Sequence, residues 1–263
     1  MTTAAAVYFS PTGNSRRSAL CLAECWAGAD EVRRVDLTDW REKWEEQVFS
    51  PEDFVVAAAP VYAGRLPTAA LERLRSLRGQ QTPCIAVVTY GNRHYDDALL
   101  ELTDLLGEQG FLVRGAAALV GRHTYGNVQP ERPDEADFAE NARFVDALRG
   151  LPPQVAALAV PGSRPYQAGG RGKAGFLPET NYRCSHCGLC VRKCPMGAIA
   201  RDCVTIDAGR CISCFRCIRG CRLQAKEALG SAYKNFADML TEKLAQRREN
   251  EYFLPKENGN NSQ

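Results

Sequence analysis

Eight of the twelve cysteines fall into two copies of one spacing. Cys184, Cys187, Cys190 and Cys194 follow C-x2-C-x2-C-x3-C, and Cys211, Cys214, Cys217 and Cys221 repeat it 27 residues later. Thiolates spaced by two residues can cap neighbouring corners of one iron–sulfur cube, while the fourth, after a longer gap, swings to a second cube. The spacing therefore predicts one [4Fe-4S] cluster on Cys184, Cys187, Cys190 and Cys221, and another on Cys211, Cys214, Cys217 and Cys194. Disulfides suit secreted chains, and the opening M-T-T-A-A-A-V-Y-F-S has neither the basic flank nor the apolar length of a signal peptide or membrane anchor. Zinc sites pair cysteines across a loop rather than using triplets with a distant fourth.

A second set of residues could hold a phosphate. The apolar run from Ala4 to Phe9 ends in Ser10-Pro11-Thr12-Gly13-Asn14-Ser15, and a helix-like stretch follows from Arg16 to Trp26. Strand, hydroxyl-rich glycine loop and helix is an arrangement whose free N–H groups point at an anion. The loop has no lysine, which excludes the ATP-type G-x-x-x-x-G-K-[ST], and no G-x-G-x-x-G, which argues against a dinucleotide fold. A plain helix cap would use the same residues, so this stretch alone leaves both readings open.

The elements that must position these groups alternate. Strands are expected at Ala4 to Phe9, Glu31 to Leu37, Asp53 to Ala59, Pro83 to Tyr90 and Phe111 to Val120. Helices are expected at Arg16 to Trp26, Pro67 to Leu77, Asp96 to Glu108 and, as the fifth helix, Glu135 to Leu148. Alternation of this kind implies an α/β parallel sheet covered on both faces over residues 1–150. Five such strands resemble the flavodoxin-like doubly wound order 2-1-3-4-5. Residues 151–177 are rich in Pro and Gly and are expected to be a linker, partly ordered at best. Arg164, Arg171 and Lys173 in it could attract an acidic partner. A small α+β cluster domain over 178–223 is expected to carry a short strand at Val204 to Asp207, with Ile199, Ile206, Ile212 and Ile218 around the clusters. A C-terminal helix over 224–250, with Tyr233, Phe236, Leu240 and Leu244 on one stripe, is expected to pack back on the chain, and the tail 251–263 to end disordered. Cys203, Cys21, Cys25 and Cys84 read as core residues.

The cysteine repeat resembles the bacterial two-cluster ferredoxins; Pro195 after Cys194 fits their pattern, and Arg222 stands where a second proline is expected. The S-P-T-G-N-S loop resembles the flavodoxin loop for the FMN phosphate. Together the chain resembles the flavodoxin–ferredoxin fusion proteins found largely in anaerobes. The resemblance implies FMN and two [4Fe-4S] clusters, with Ser10, Thr12, Gly13, Asn14 and Ser15 on the phosphate. The loops Pro60, Val61, Tyr62, Ala63, Gly64 and Thr89, Tyr90, Gly91, Asn92, Tyr95, Asp96 would flank the ring. Tyr95 is the leading stacking residue, with Tyr62 either a second stacker or a core residue. Arg65, Arg93 and His94 in these loops predict a reduced flavin less destabilised than beside acidic residues. His123 and Tyr125 after the fifth strand could touch the flavin, face the second domain, or do neither.

With 33 basic and 31 acidic residues and a net charge of +2, nothing points to nucleic acid or membrane. Twelve cysteines indicate a reducing, cytoplasmic setting. The expected function is electron transfer between clusters and FMN on one soluble chain, with redox proteins as partners. The alternative is a flavin-dependent reductase of a small molecule, with the clusters as its feed. A redox-sensing or scaffold protein with structural clusters is a third class.

Overall fold

Apolar segments that are buried on both faces must be central strands, and the described residues hold four such segments. Our computed structural model describes residues 3–42, 44–152, 158–167 and 175–255. The elements run β1 (Ala4–Tyr8), α1 (Asn14–Ala27), a 3-10 turn (Ala29–Glu31), β2 (Val32–Asp36), β3 (Gln47–Phe49) and β4 (Phe54–Pro60). Then come α2 (Thr68–Leu74), β5 (Leu77–Gly79), β6 (Thr82–Tyr90), α3 (Ala98–Glu108), β7 (Phe111–Val120) and α4 (Glu135–Arg149). The second half holds β8 (Glu179–Thr180), α5 (Leu189–Lys193), α6 (Arg216–Arg219), β9 (Lys226–Glu227), α7 (Ser231–Lys243) and β10 (Glu251–Phe253).

The main sheet has the order β10-β7-β6-β4-β1-β2. Its five N-terminal strands are parallel and take the flavodoxin-like order expected from the sequence. Alternate side chains separate two cores. Ala5, Val7, Phe9, Val55, Ala57, Ala59, Ala86 and Val88 pack with α2 and α3. Ala4, Ala6, Tyr8, Val56, Ala58, Ile85 and Val87 pack with α1 and α4. Alanines dominate the strand centres, so helices can lie close on both faces. Trp26 closes one end by stacking on Phe54 with ring centroids 3.7 Å apart. Asp134 caps α4: its side chain accepts the Asp137 N–H, and Asp137 accepts the Asp134 N–H in return.

Several expectations change. The sheet has six strands rather than five, because β10 from the tail pairs antiparallel with β7, Glu251 opposite Ala118. Among the described residues between β2 and β4 there is no helix; β3 lies there and pairs with β5, so Glu135–Arg149 is the fourth helix. Leu77 leaves helix α2 to join β5, since its side chain is needed in the core beside Phe49. Residues 158–167 are not a free tether. Leu158 and Val160 pack on the first core, Asp97 accepts the N–H groups of Ser163 (3.0 Å) and Gln167 (2.6 Å), and Tyr166 donates to Asp104. Arg164 also pairs with Asp104 and is thereby occupied; Arg171 and Lys173 lie outside the described residues. The expected strand at Val204 to Asp207 is a single bridge between Ile199 and Ile206, and the cluster half is tied instead by β8 with β9. The C-terminal helix is shorter than expected, and residues 256–263 of the tail lie outside the described residues. No described helix is long and apolar enough to cross a membrane.

Candidate functional site

A cavity of about 340 Å³ opens at the carboxyl ends of β1, β4, β6 and β7. The loop after β1 supplies Ser10, Pro11, Thr12, Asn14 and Ser15; the loop after β4 supplies Pro60, Val61, Tyr62 and Ala63. Thr89, Tyr90 and Gly91 come from the end of β6, and Arg122, His123, Thr124 and Tyr125 from the loop after β7. The remaining wall is Gly175, Ile212 and Ser213, from the cysteine-rich half.

The chemistry of this lining fits FMN. Gly13 starts α1 in the left-handed region, φ 99°, and has no side chain to cap it, so the Asn14 and Ser15 N–H groups stay available at the hydroxyl loop. Ser15 is tied to Thr89 at 2.7 Å, which fixes one hydroxyl at the floor. Ser10 accepts the Arg16 N–H and so shapes the loop. The rings of Tyr62, His123 and Tyr125 also line the cavity, with no carboxylate among the described lining residues. Gly91 has no room for a side chain: a Cβ there would collide with the His123 ring.

Five expected flavin contacts lie outside this lining: Gly13, Gly64, Asn92, Tyr95 and Asp96. Tyr95 is buried in the core, stacked on His94 at 5.0 Å, and donates its hydroxyl to Glu251 at 2.7 Å. It anchors the tail rather than the cofactor, because the hydroxyl finds a carboxylate behind the loop. Asn92 likewise donates to the Leu244 and Gln246 carbonyls, at 2.9 and 2.7 Å. Gly64 abuts Asp96, whose carboxylate pairs with Arg93. Arg65 is turned inward on Glu101, buried and bidentate at 3.0 and 2.7 Å. The positive charge expected beside the ring from Arg65, Arg93 and His94 is therefore not in the cavity wall; Arg122 is.

The loop after β7 carries the site's least legible residues. His123 Nδ1 faces the Tyr125 N–H at 2.9 Å and the Tyr125 carbonyl at 2.8 Å. Burial lowers the His123 pKa, and the charges of Arg219 and Arg93 act in the same direction. Arg219, from α6, donates to the His123 and Thr124 carbonyls. Tyr125 donates to the Ser213 carbonyl at 3.2 Å, and burial pushes its phenol up to about 12. Its ring meets Phe176, Phe215, Tyr233 and Phe236 edge-on, at centroid distances from 5.0 to 6.2 Å. Tyr62 is raised well above its ordinary value, by burial first and then by Cys214.

The eight repeated cysteines gather in two places. Cys184, Cys187, Cys190 and Cys221 line one cavity, together with Cys203, Leu189 and Leu223. Cys194, Cys211, Cys214 and Cys217 line another, with Ile199, Ile206, Ile212 and Phe215; Ile218 is not in that lining. Backbone N–H groups point at sulfur in both groups, among them Ala198 to Cys194 at 3.3 Å and Ala225 to Cys221 at 3.2 Å. Burial acts upward on Cys221, but the N–H groups of Ala225, Lys226 and Leu223 and the Lys226 charge bring it below the ordinary thiol value. Burial lifts Cys214 and Cys217 to about 12. Such thiols shed their protons when metal binds. Sulfur-directed N–H groups and apolar walls suit [4Fe-4S] clusters. Cys21 and Cys25 are half-buried and Cys84 is buried, away from both groups.

The two halves are fastened next to the second group. Arg73 of α2 donates to the Leu37, Thr38 and Pro195 carbonyls at 2.9, 2.8 and 2.6 Å. Gly197 lies against Trp40, where a Cβ would collide with the indole, and Arg210 sits over the same ring at 5.2 Å.

Residues 181–200 match the family of 4Fe-4S binding domains, which spans the first cysteine repeat. No curated protein matches the chain significantly in sequence. Similar solved structures include an archaeal flavodoxin at 14% identity and TM-score 0.38, covering 56% of this chain and 95% of that one. Oxidised flavodoxin 2 from Bacillus cereus is 16% identical with TM-score 0.41, covering 56% and 97%. A Streptococcus pneumoniae flavodoxin is 18% identical with TM-score 0.38, covering 56% and 97%. The parallel strand order and the ferredoxin-type match make this chain a flavodoxin-like α/β domain fused to a 4Fe-4S binding domain.

Proposed function

We propose that the chain is an electron-transfer protein that binds FMN in the cavity above β1, β4, β6 and β7 and two [4Fe-4S] clusters on its two cysteine groups. The inner cluster is that of Cys194, Cys211, Cys214 and Cys217, and it exchanges electrons with the flavin. One observation carries this reading: Ile212 and Ser213, which lie between Cys211 and Cys214, form part of the flavin cavity's wall. Tyr125 binds the Ser213 carbonyl and lines the same cavity, so the two sites share residues. When bound, the clusters supply one-electron steps and the flavin one- or two-electron steps. The protein's own part is to hold the groups adjacent and to wall the flavin edge with Tyr62, His123 and Tyr125.

The reductase alternative needs open space over the flavin for a second molecule. Gly175, Ile212 and Ser213 stand on that side of the cavity, which favours the carrier.

Anaerobic purification followed by iron, sulfide and flavin analysis is the test. Two clusters demand about eight irons and eight sulfides beside one FMN per chain. Rapid mixing with dithionite should then reduce the clusters before the flavin, with flavin bleaching following at a rate independent of protein concentration. Iron without flavin, or flavin bleaching that depends on protein concentration, overturns the reading.

A further inference from the structure

Cys187 is the one exposed cysteine of the chain's described residues. Its surroundings are cationic. Arg192 and Arg222 line the same cavity, Arg183 precedes Cys184, and Lys193 ends α5; all four are exposed. Among the described residues none of the four forms an ion pair with a carboxylate. Arg192 lies across the Cys187 carbonyl at 3.2 Å. Two exposed apolar groups complete the patch: Tyr182, 91% exposed with the Arg183 guanidinium 5.7 Å from its ring, and Leu223, 47% exposed in the cavity wall. No carboxylate is among the cavity's described lining residues. Asp202 turns its carboxylate to the Val204 and Thr205 N–H groups and the Thr205 hydroxyl, and Glu227 accepts from Asn181.

The cluster's own charge enters this balance. A [4Fe-4S] core with four thiolates carries about two negative charges, and Asp202 and Glu227 keep theirs; against these stand the four exposed cations and Lys226 of the cavity wall, so the rim stays positive by about one. An anionic protein surface is attracted to such a rim, and a redox encounter needs only a small contact.

We propose that this rim is the docking surface for an acidic one-electron carrier protein, and that the cluster of Cys184, Cys187, Cys190 and Cys221 is the chain's electron port. The inference rests on the two-cluster flavin carrier reading. In the transfer, the reduced carrier loses one electron and the port cluster gains it; no bond breaks and no proton moves.

The test is titration calorimetry of the fully loaded oxidised protein with an acidic two-cluster bacterial ferredoxin, repeated in about 0.5 M salt. The double variant Arg183→Glu, Lys193→Glu should bind about 10-fold or more weakly at low salt, and the difference should vanish at high salt. Arg143→Glu, exposed on α4 in the other half, should leave binding unchanged. If iron analysis shows that the glutamate pair loses a cluster, Arg183→Gln with Lys193→Gln replaces it, with a several-fold loss expected. Unchanged binding, or an equal loss in Arg143→Glu, overturns the proposal. If dithionite still drives flavin bleaching through the clusters while docking ignores the rim, only this inference falls. If the unaltered protein shows no cluster-to-flavin transfer, the carrier reading falls whatever the docking result.

Discussion

The two cysteine groups share a backbone and differ in what their side chains do. Positions 27 residues apart adopt the same conformation: His186 and Ser213 have φ of 54° and 50°, and Gly188 and Phe215 have 73° and 56°. The N–H to sulfur bonds of Ala198 and Ala225 are also equivalent. Yet His186 is exposed on the Asp202 carbonyl, whereas Ser213 is buried under Tyr125. Arg192 stays on its own loop, whereas Arg219 reaches across to the loop after β7. Ligand geometry fixes the backbone of such a loop, and the side chains between the ligands remain free to specialise. One copy faces the cavity above the parallel sheet and its twin faces solvent.

Removing one thiol from each copy tests that division, and it carries the largest expected effect. Cys214→Ser and Cys187→Ser should each lower iron to about four per chain. Dithionite-driven flavin bleaching should collapse in Cys214→Ser and persist near the unaltered rate in Cys187→Ser, read by rapid mixing. Equal losses in both variants would break the comparison.

Phe215 sharpens it. A bulky residue at φ 56° is strained by about 1–2 kcal/mol, and its twin is a glycine. What offsets the strain is aromatic packing against Tyr125 at 5.0 Å and Tyr233 at 5.6 Å. Phe215→Gly relieves the backbone but empties a buried site, which costs about 3–5 kcal/mol for a phenylalanine. The net expectation is a loss of about 2–3 kcal/mol in denaturant unfolding, whereas Gly188→Ala, in the open copy, should lose no more than about 1–2 kcal/mol.

Much of this was readable in advance, for identifiable reasons. The ligand spacing and the buried runs of β1, β4, β6 and β7 are local patterns, enough to group the cysteines and find the strands, while the sheet order followed from the flavodoxin-like resemblance. Tyr95 misled because a tyrosine beside a ring-binding loop has two places to put its hydroxyl, and Glu251, 156 residues away, decides which. The tail strand Glu251–Phe253 is three residues long and carries no periodic signal. The packing of residues 158–167 depends on Asp97 and Asp104, which a Pro/Gly-rich composition does not reveal. Tyr125 was visible as an aromatic in a loop, but its four aromatic neighbours come from three distant segments.

Smaller effects follow from the loop after β7, which meets the second copy. Tyr125→Phe keeps the ring in its cage and removes only the hydrogen bond to Ser213, so it should cost about 1 kcal/mol. Flavin content should be retained, and the dithionite-driven bleaching should slow if that contact holds the inner cluster against the cavity. An unchanged rate would assign Tyr125 to packing alone.

The smallest expected effect is a pH dependence. His123 has its pKa lowered from the ordinary 6.5, first by burial and then by Arg219 and Arg93, against the pull of the Tyr125 carbonyl. The unfolded chain therefore takes up the proton before the folded one does. The resulting stability is fully present above pH 6.5 and is lost as pH falls through the lower folded value. Protonation would also take the Nδ1 lone pair away from the Tyr125 N–H. Unfolding midpoints measured at falling pH, with the cluster absorbance followed at each point, should decline on the acid side. His123→Gln should lose that component of the slope, because glutamine has no proton to gain. A slope that survives the substitution would move the titrating group elsewhere and leave the loop after β7 a purely packed joint.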